Sequence, residues 1–147
     1  IPLRLVGSEM CIRDSLYGAQ SHAKHYSNYL STTTTVDPSV ARIAHDSIGN
    51  HLNKTQQHLS QMKNQLSAHE NKEGVESISE IEGHLQDARL HHADLNKITI
   101  QKPIDSKAAK ATVNSLQSSI NKAIAAHASL LESLGIKEPT HDEKESK

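Results

Sequence analysis

From Leu16 onward, apolar and small residues recur at alternating steps of three and four. That spacing puts them on one face of an α-helix. Four helices are predicted in this way. The first is short, about 16–30, with the stripe Leu16, Ala19, Ala23, Tyr26 and Leu30. The second opens at Asp37-Pro38, an N-cap residue followed by proline at the first helical position. It runs to about Glu70 on the stripe Ala41, His45, Ile48, Leu52, Thr55, Leu59, Met62, Leu66 and His69. The third, about 75–99, carries Ile78, Ile81, Leu85, Ala88, His92 and Leu95. The fourth is capped by Asp105 or Ser106 and carries Ala109, Val113, Leu116, Ile120, Ala123, His127, Leu130 and Leu134. Gly135 stands where a left-handed C-terminal cap is wanted. A strand reading fails, because the β-branched cluster at 32–36 leads into Asp37-Pro38 and reads as a loop.

Short breaks at 71–74 and 100–105 make successive helices antiparallel neighbours. The expected fold is all-α: an antiparallel up-down helical bundle of one short and three long helices over residues 16–137. Residues 138–147 form a charged tail without apolar side chains, expected to be disordered. The chain has no Phe or Trp, and its seams are interrupted by Ala, Thr and His. Each such position forgoes burial worth about 25 cal/mol per Å². Modest stability, or further burial by self-association, is the expectation.

Composition narrows the function classes. The net charge is −1 with both signs interspersed, which removes the basic footprint of a nucleic-acid binder. Three Tyr are the only aromatics, too few for the stacking platforms of single-strand binders. No apolar run approaches the roughly 20 residues that span a bilayer. A single Cys excludes an internal disulfide framework and Cys-rich zinc modules.

Residues 1–15, IPLRLVGSEMCIRDS, differ in character from the rest. They hold Cys11, Met10 and two arginines, and Arg4, Glu9, Arg13 and Asp14 break any apolar stretch that a secretory signal would need. The run Leu5-Val6-Gly7-Ser8-Glu9-Met10-Cys11-Ile12-Arg13-Asp14-Ser15 resembles the translation of a Nextera-type transposase adapter used in DNA library preparation. In one frame the codons CTC GTG GGC TCG GAG ATG TGT ATA AGA GAC spell Leu5 to Asp14, and AG plus any base gives Ser or Arg at position 15. This resemblance implies that residues 1–15 are a non-native, adapter-derived segment, that Cys11 and Met10 carry no biological information, and that the true N-terminus lies elsewhere. Net charge is unchanged without the segment, and all 11 His lie outside it.

Those histidines are the remaining chemistry. His45, His92 and His127 fall in the predicted seams, and His69 lies near the end of the second helix. Counting at 1.5 Å per residue from the loops puts His69 and His127 at similar height, both near Ile78. With an oxygen from Glu73, Glu76 or Glu80 they make a candidate divalent site. His22, His25 and His45 also fall at similar height. On the third helix Glu80, His84, Asp87 and His91 form one stripe beside the seam, where His84 and Asp87, or Asp87 and His91, could chelate a metal. The simpler reading is a solvated face with weak pairs of about 0.2–0.5 kcal/mol each. His51 and His58, seven apart, are too distant to share a metal within one helix. Eleven His titrating near about pH 6.5 would carry the chain from neutral to strongly positive in mild acid and loosen the bundle.

Catalytic signatures are missing. The one Glu-x-x-His runs from Glu138 to His141 across a proline, so it is not the inward pair of a di-iron bundle. There is no His-Glu-x-x-His, no glycine-rich phosphate loop and no Gly-x-Ser-x-Gly elbow. A non-enzymatic protein is expected. The opening Tyr17-Gly18-Ala19-Gln20 with His22 and Tyr26, then Val36-Asp37-Pro38 with His45, and the end Leu130-Leu131-Glu132-Ser133-Leu134-Gly135-Ile136 resemble uncharacterised, His- and Ala-rich, exported helical proteins of planctomycete-type bacteria. That resemblance implies no assigned activity and a periplasmic or extracellular location, with a signal peptide upstream. Some such proteins carry Cys or His pairs late in the third and fourth helices; the Cys are lacking here. Two functions are therefore expected: a structural role or association with itself or another helical protein, and, as the alternative, His-based binding or buffering of zinc, nickel or copper in the cell envelope.

Overall fold

The computed structural model describes residues 3–136, with side chains from Glu9 onward. Among them all regular structure is helical: α1 (Leu3–Thr32), α2 (Pro38–Ala68), α3 (Lys72–Thr99) and α4 (Ser106–Ser133). They form a helical bundle. α1 packs on α2 and α4, and α3 packs on the same two helices. No helix among the described residues is long and apolar enough to cross a membrane.

The caps explain the boundaries. The Asp37 carboxylate accepts from the Ser39 N–H at 2.8 Å, with Pro38 at the first position. Asn71 caps α3 by accepting from the Gly74 N–H at 2.9 Å, so this helix starts a turn earlier than apolar spacing implies. Asp105 caps α4 through the Ala108 N–H at 3.1 Å. Gly135 has φ 72, the left-handed conformation that glycine adopts without steric cost.

The seams are buried as their spacing predicts. Every predicted stripe residue of α2 from Ala41 to Leu66 is buried, and in α4 the same holds from Ala109 to Leu130. The core threonines are satisfied locally. Thr55 donates to the His51 carbonyl at 2.8 Å and Thr99 to the Leu95 carbonyl at 2.7 Å.

One expectation is corrected. The first helix is not short. It spans 30 residues, as long as its neighbours. The cause is that its stripe continues upstream in register, with Ile12 buried four residues before Leu16 and Glu9 buried three before Ile12. No proline interrupts residues 3–15. Residues 9–15 therefore pack as part of the bundle, with Arg13 and Ser15 also buried. The tail predicted at 138–147 lies outside the described residues.

Candidate functional site

Histidines pair across two of the helix interfaces. Between α2 and α3, the rings of His45 and His92 lie parallel, 3.9 Å apart at an interplanar angle of 13°. His92 Nε2 is 2.8 Å from the His45 carbonyl oxygen. A carbonyl only accepts, so Nε2 carries the hydrogen. His45 Nδ1 lies 3.0 Å from Asp46 Oδ1 and likewise donates. The other ring nitrogen of His45, Nε2, is buried with no hydrogen-bond partner. Each ring thus needs only one hydrogen, and the arrangement suits two neutral tautomers.

A glycine makes this approach possible. A Cβ at Gly49 would stand 2.8 Å from His92 Cε1, closer than side-chain atoms tolerate. The same device recurs between α1 and α2. The His51 ring lies over Gly18, where a Cβ would stand 2.5 Å from its Cε1, and it stacks on His22 at 5.2 Å and 29°. His51 Nδ1 is buried without a partner. In both pairs the glycine and the second ring are four residues apart on one helix, Gly18 with His22 and Gly49 with His45, so they share a face.

Electrostatics follow from this packing. Burial pushes the His92 imidazole below its ordinary value of 6.5, opposed by the hydrogen bond to the His45 carbonyl and reinforced by His45 and Arg89. Burial also lowers His51, helped by His22 and Lys54. The hydrogen bond from His45 holds the Asp46 carboxylate below its ordinary value, with Arg42 contributing. Elsewhere on α1, burial and the neighbouring Tyr29 raise the Tyr26 hydroxyl.

His127 takes another partner. Its Nε2 is 2.8 Å from Glu9 Oε2, and the two side chains are 2% and 0% exposed. The approach is close but misaligned, since neither Nε2 nor either carboxylate oxygen has a hydrogen bond of acceptable direction.

The residues singled out from sequence for metal binding are dispersed. His69 is exposed at the C-cap of α2, where its N–H bonds the Gln65 carbonyl, while His127 is buried against Glu9. His84 Nε2 stands 4.0 Å from Glu80 Oε1 on the surface of α3. Asp87 is exposed and His91 half-buried. Among the described residues no three His, Cys, Asp or Glu side chains form a group that could hold a metal ion. His22, grouped by height with His45, instead meets His51.

The ring pairs escape sequence reasoning, although a signal is present. Gly18 and Gly49 lie well inside helices, where glycine costs roughly 0.5–1 kcal/mol relative to Ala. A glycine tolerated there, one turn from a histidine, marks a close approach. Comparison with known proteins adds no family to this geometry: no family model, no curated protein and no solved structure matches the chain.

Proposed function

We propose that the chain is an antiparallel up-and-down bundle with a structural, protein-association role and no catalytic activity. The arrangement is supported by cross-helix pairs whose numbers rise on one helix as they fall on the other. Gln20 donates to Asn121 and Ser27 to Asn114 between α1 and α4. Arg42 reaches Asn96 and Arg89 reaches Asn53 between α2 and α3.

The observation that carries the functional reading is where the reactive side chains are spent. His22, His45, His51, His92 and His127 each contact a side chain or carbonyl of another helix. Imidazoles committed to helix contacts shape a scaffold. Ile43 on α2 and Leu90 and Ile100 on α3 and its C-cap are exposed, at 67, 56 and 64%, and a partner covering any of them would remove its apolar area from water. Sedimentation velocity across a wide concentration range tests this. A concentration-dependent oligomer is expected, weakened by Ile43→Glu; a monomer throughout overturns the association role.

Divalent metal binding is the second reading. Its support is the Glu80–His84 approach on α3, with Asp87 a turn further on. Zinc, nickel or copper titration followed by circular dichroism melting separates the two readings. A stoichiometric rise in melting temperature that disappears in His84→Ala favours the metal. An unmoved melt removes it.

A further inference from the structure

Helix α2 is the member of the bundle that meets imidazole pairs on two sides. His51 faces α1 through His22 and Gly18, and His45 faces α3 through His92, with Gly49 one turn on. Both of its rings lie in the half of α2 nearer its N-terminus. Exposed Arg42–Asn96 and Arg89–Asn53 bonds also join this half to α3, while in the other half Gln56 and Lys63 both bond the Glu82 carboxylate of α3 at 3.0 Å.

We propose that residues 38–55 of α2 form an acid-released latch: protonation of His92, stacked on His45, and of His51, stacked on His22, separates this half of the helix from α1 and α3, while residues 56–68 and α4 stay in place. Three features of the geometry lead to it. The first is contact. Parallel rings 3.9 Å apart are compatible with two neutral imidazoles, and two imidazolium rings at that separation repel. The second is hydrogen bonding. A proton added to His51 Nδ1 creates a buried donor with nothing to receive it. The third is room. The rings sit half-buried against glycine backbone, with His51 pressed on Gly18 and His92 on Gly49, so a charge on either ring is only partly solvated while the helices stay in contact.

The charges around the rings favour the neutral form. His92 is faced by His45 and Asp46 from α2 and by Arg89 on its own helix. His51 is faced by His22 from α1 and Lys54 on its own helix. His45 has Asp46 beside it, which Arg42 also approaches at 3.7 Å. Asp46 opposes the release, but it is 58% exposed and shares its charge with Arg42. Acid therefore adds positive charge to a neighbourhood that already holds Arg42, Lys54 and Arg89.

The other contacts of the bundle do not respond this way. Gln20–Asn121 and Ser27–Asn114 join α1 to α4 through groups that do not titrate. His127 faces Glu9 rather than another imidazole.

Hydrogen–deuterium exchange on the full chain, between about pH 7.5 and about pH 5.5 and corrected for intrinsic rates, reads the latch directly. Over that interval an imidazole kept neutral in the fold changes the opening equilibrium by at most about tenfold. With the rings partly solvated, about fivefold faster exchange is expected in residues 38–55. Residues 56–68 and α4 are expected to change less than about twofold. Equal acceleration in all helices, or none in residues 38–55, overturns the proposal. The double variant His51→Gln, His92→Gln keeps polar side chains at both interfaces without a titrating ring, and its acid response in 38–55 is expected to vanish. A retained response of about fivefold overturns the proposal as well. If the double variant does not fold, the comparison of helices within the unaltered chain still decides.

Discussion

The interfaces of α2 and the α1–α4 interface solve one problem with different chemistry. Each must place polar side chains along a seam of Leu, Ile and Ala. Between α1 and α4 the pairs are Gln20–Asn121 at 2.7 Å, Ser27–Asn114 at 3.0 Å and, more deeply, Glu9–His127. Around α2, beside the Arg42–Asn96, Arg89–Asn53 and Lys63–Glu82 pairs, they include flat imidazole rings set over glycines. Amides and hydroxyls hold at any ordinary pH. Stacked imidazole rings carry groups that titrate in mild acid. The difference teaches that one histidine-rich composition supports two kinds of contact: an imidazole against a carboxyl group at Glu9–His127, and an imidazole against another imidazole around α2.

The largest effect is expected at the carboxylate. His127→Leu leaves Glu9 fully buried without its imidazole neighbour, with an expected cost of up to about 3 kcal/mol, as for a buried polar group that loses its partner. Adding Glu9→Leu removes the stranded group and should restore most of that loss, because apolar replacements of both partners are nearly neutral or stabilising. Chemical denaturation of the two variants checks the sign of the difference. If the double variant is no more stable than the single one, Glu9 is not the partner that makes His127 costly to remove.

The glycines come next, and they sharpen the comparison by contrast within a residue type. Gly49→Ala forces a methyl against His92 and is expected to cost about 1–3 kcal/mol. Gly18→Ala acts likewise through His51. Gly83 has nothing within 4 Å of its Cβ position. There alanine should instead stabilise the protein by about 0.4–1 kcal/mol, through helix propensity alone. Thermal melts of the three variants decide whether the ring notches are real close approaches. Three shifts of the same sign would refute them.

These contacts also mark where sequence reasoning stops. The helices are legible because seam burial has a period: Ile48, Leu52, Leu59, Met62 and Leu66 declare one face without reference to any other helix. Asp37 and Asp105 are legible because a cap acts over two or three residues. The length of α1 is not, because a change in residue character at 1–15 outweighs the stripe that runs through Ile12 and Glu9. Ring pairing is illegible for a different reason. Height along a bundle follows from counting residues, whereas contact depends on helix phase to within a fraction of a turn. That is why counting groups His22 with His45 while the ring stacks on His51, and why His69 and His127 do not share a site.

The pH response follows, with its sign set by the environment of the rings. Both His51 and His92 are held below 6.5 in the fold. The unfolded chain then binds more protons in mild acid, so stability is full above about pH 6.5 and falls as the pH drops toward the lowered values. Neither ring is fully sealed from water, so a loss of about 0.5 kcal/mol for each is expected, well under the roughly 1.4 kcal/mol that a tenfold change in proton affinity would give. Urea titrations between about pH 7.5 and about pH 5.5 should show that loss, and His92→Gln should remove about half of it. Stability that holds or rises toward acid would overturn this sign.

The smallest effect is the control that gives the others meaning. Asn121→Ala removes the 2.7 Å bond from Gln20 at an exposed position, where the freed amide finds water. A cost of about 0.5 kcal/mol is expected, and it should be the same at neutral and mildly acid pH. If this loss grows in acid, the Gln20–Asn121 contact is itself coupled to proton uptake, and its separation from the rings around α2 breaks down. If it stays constant while His92→Gln changes the pH profile, the two interfaces differ in kind, and the acid response belongs to the rings around α2.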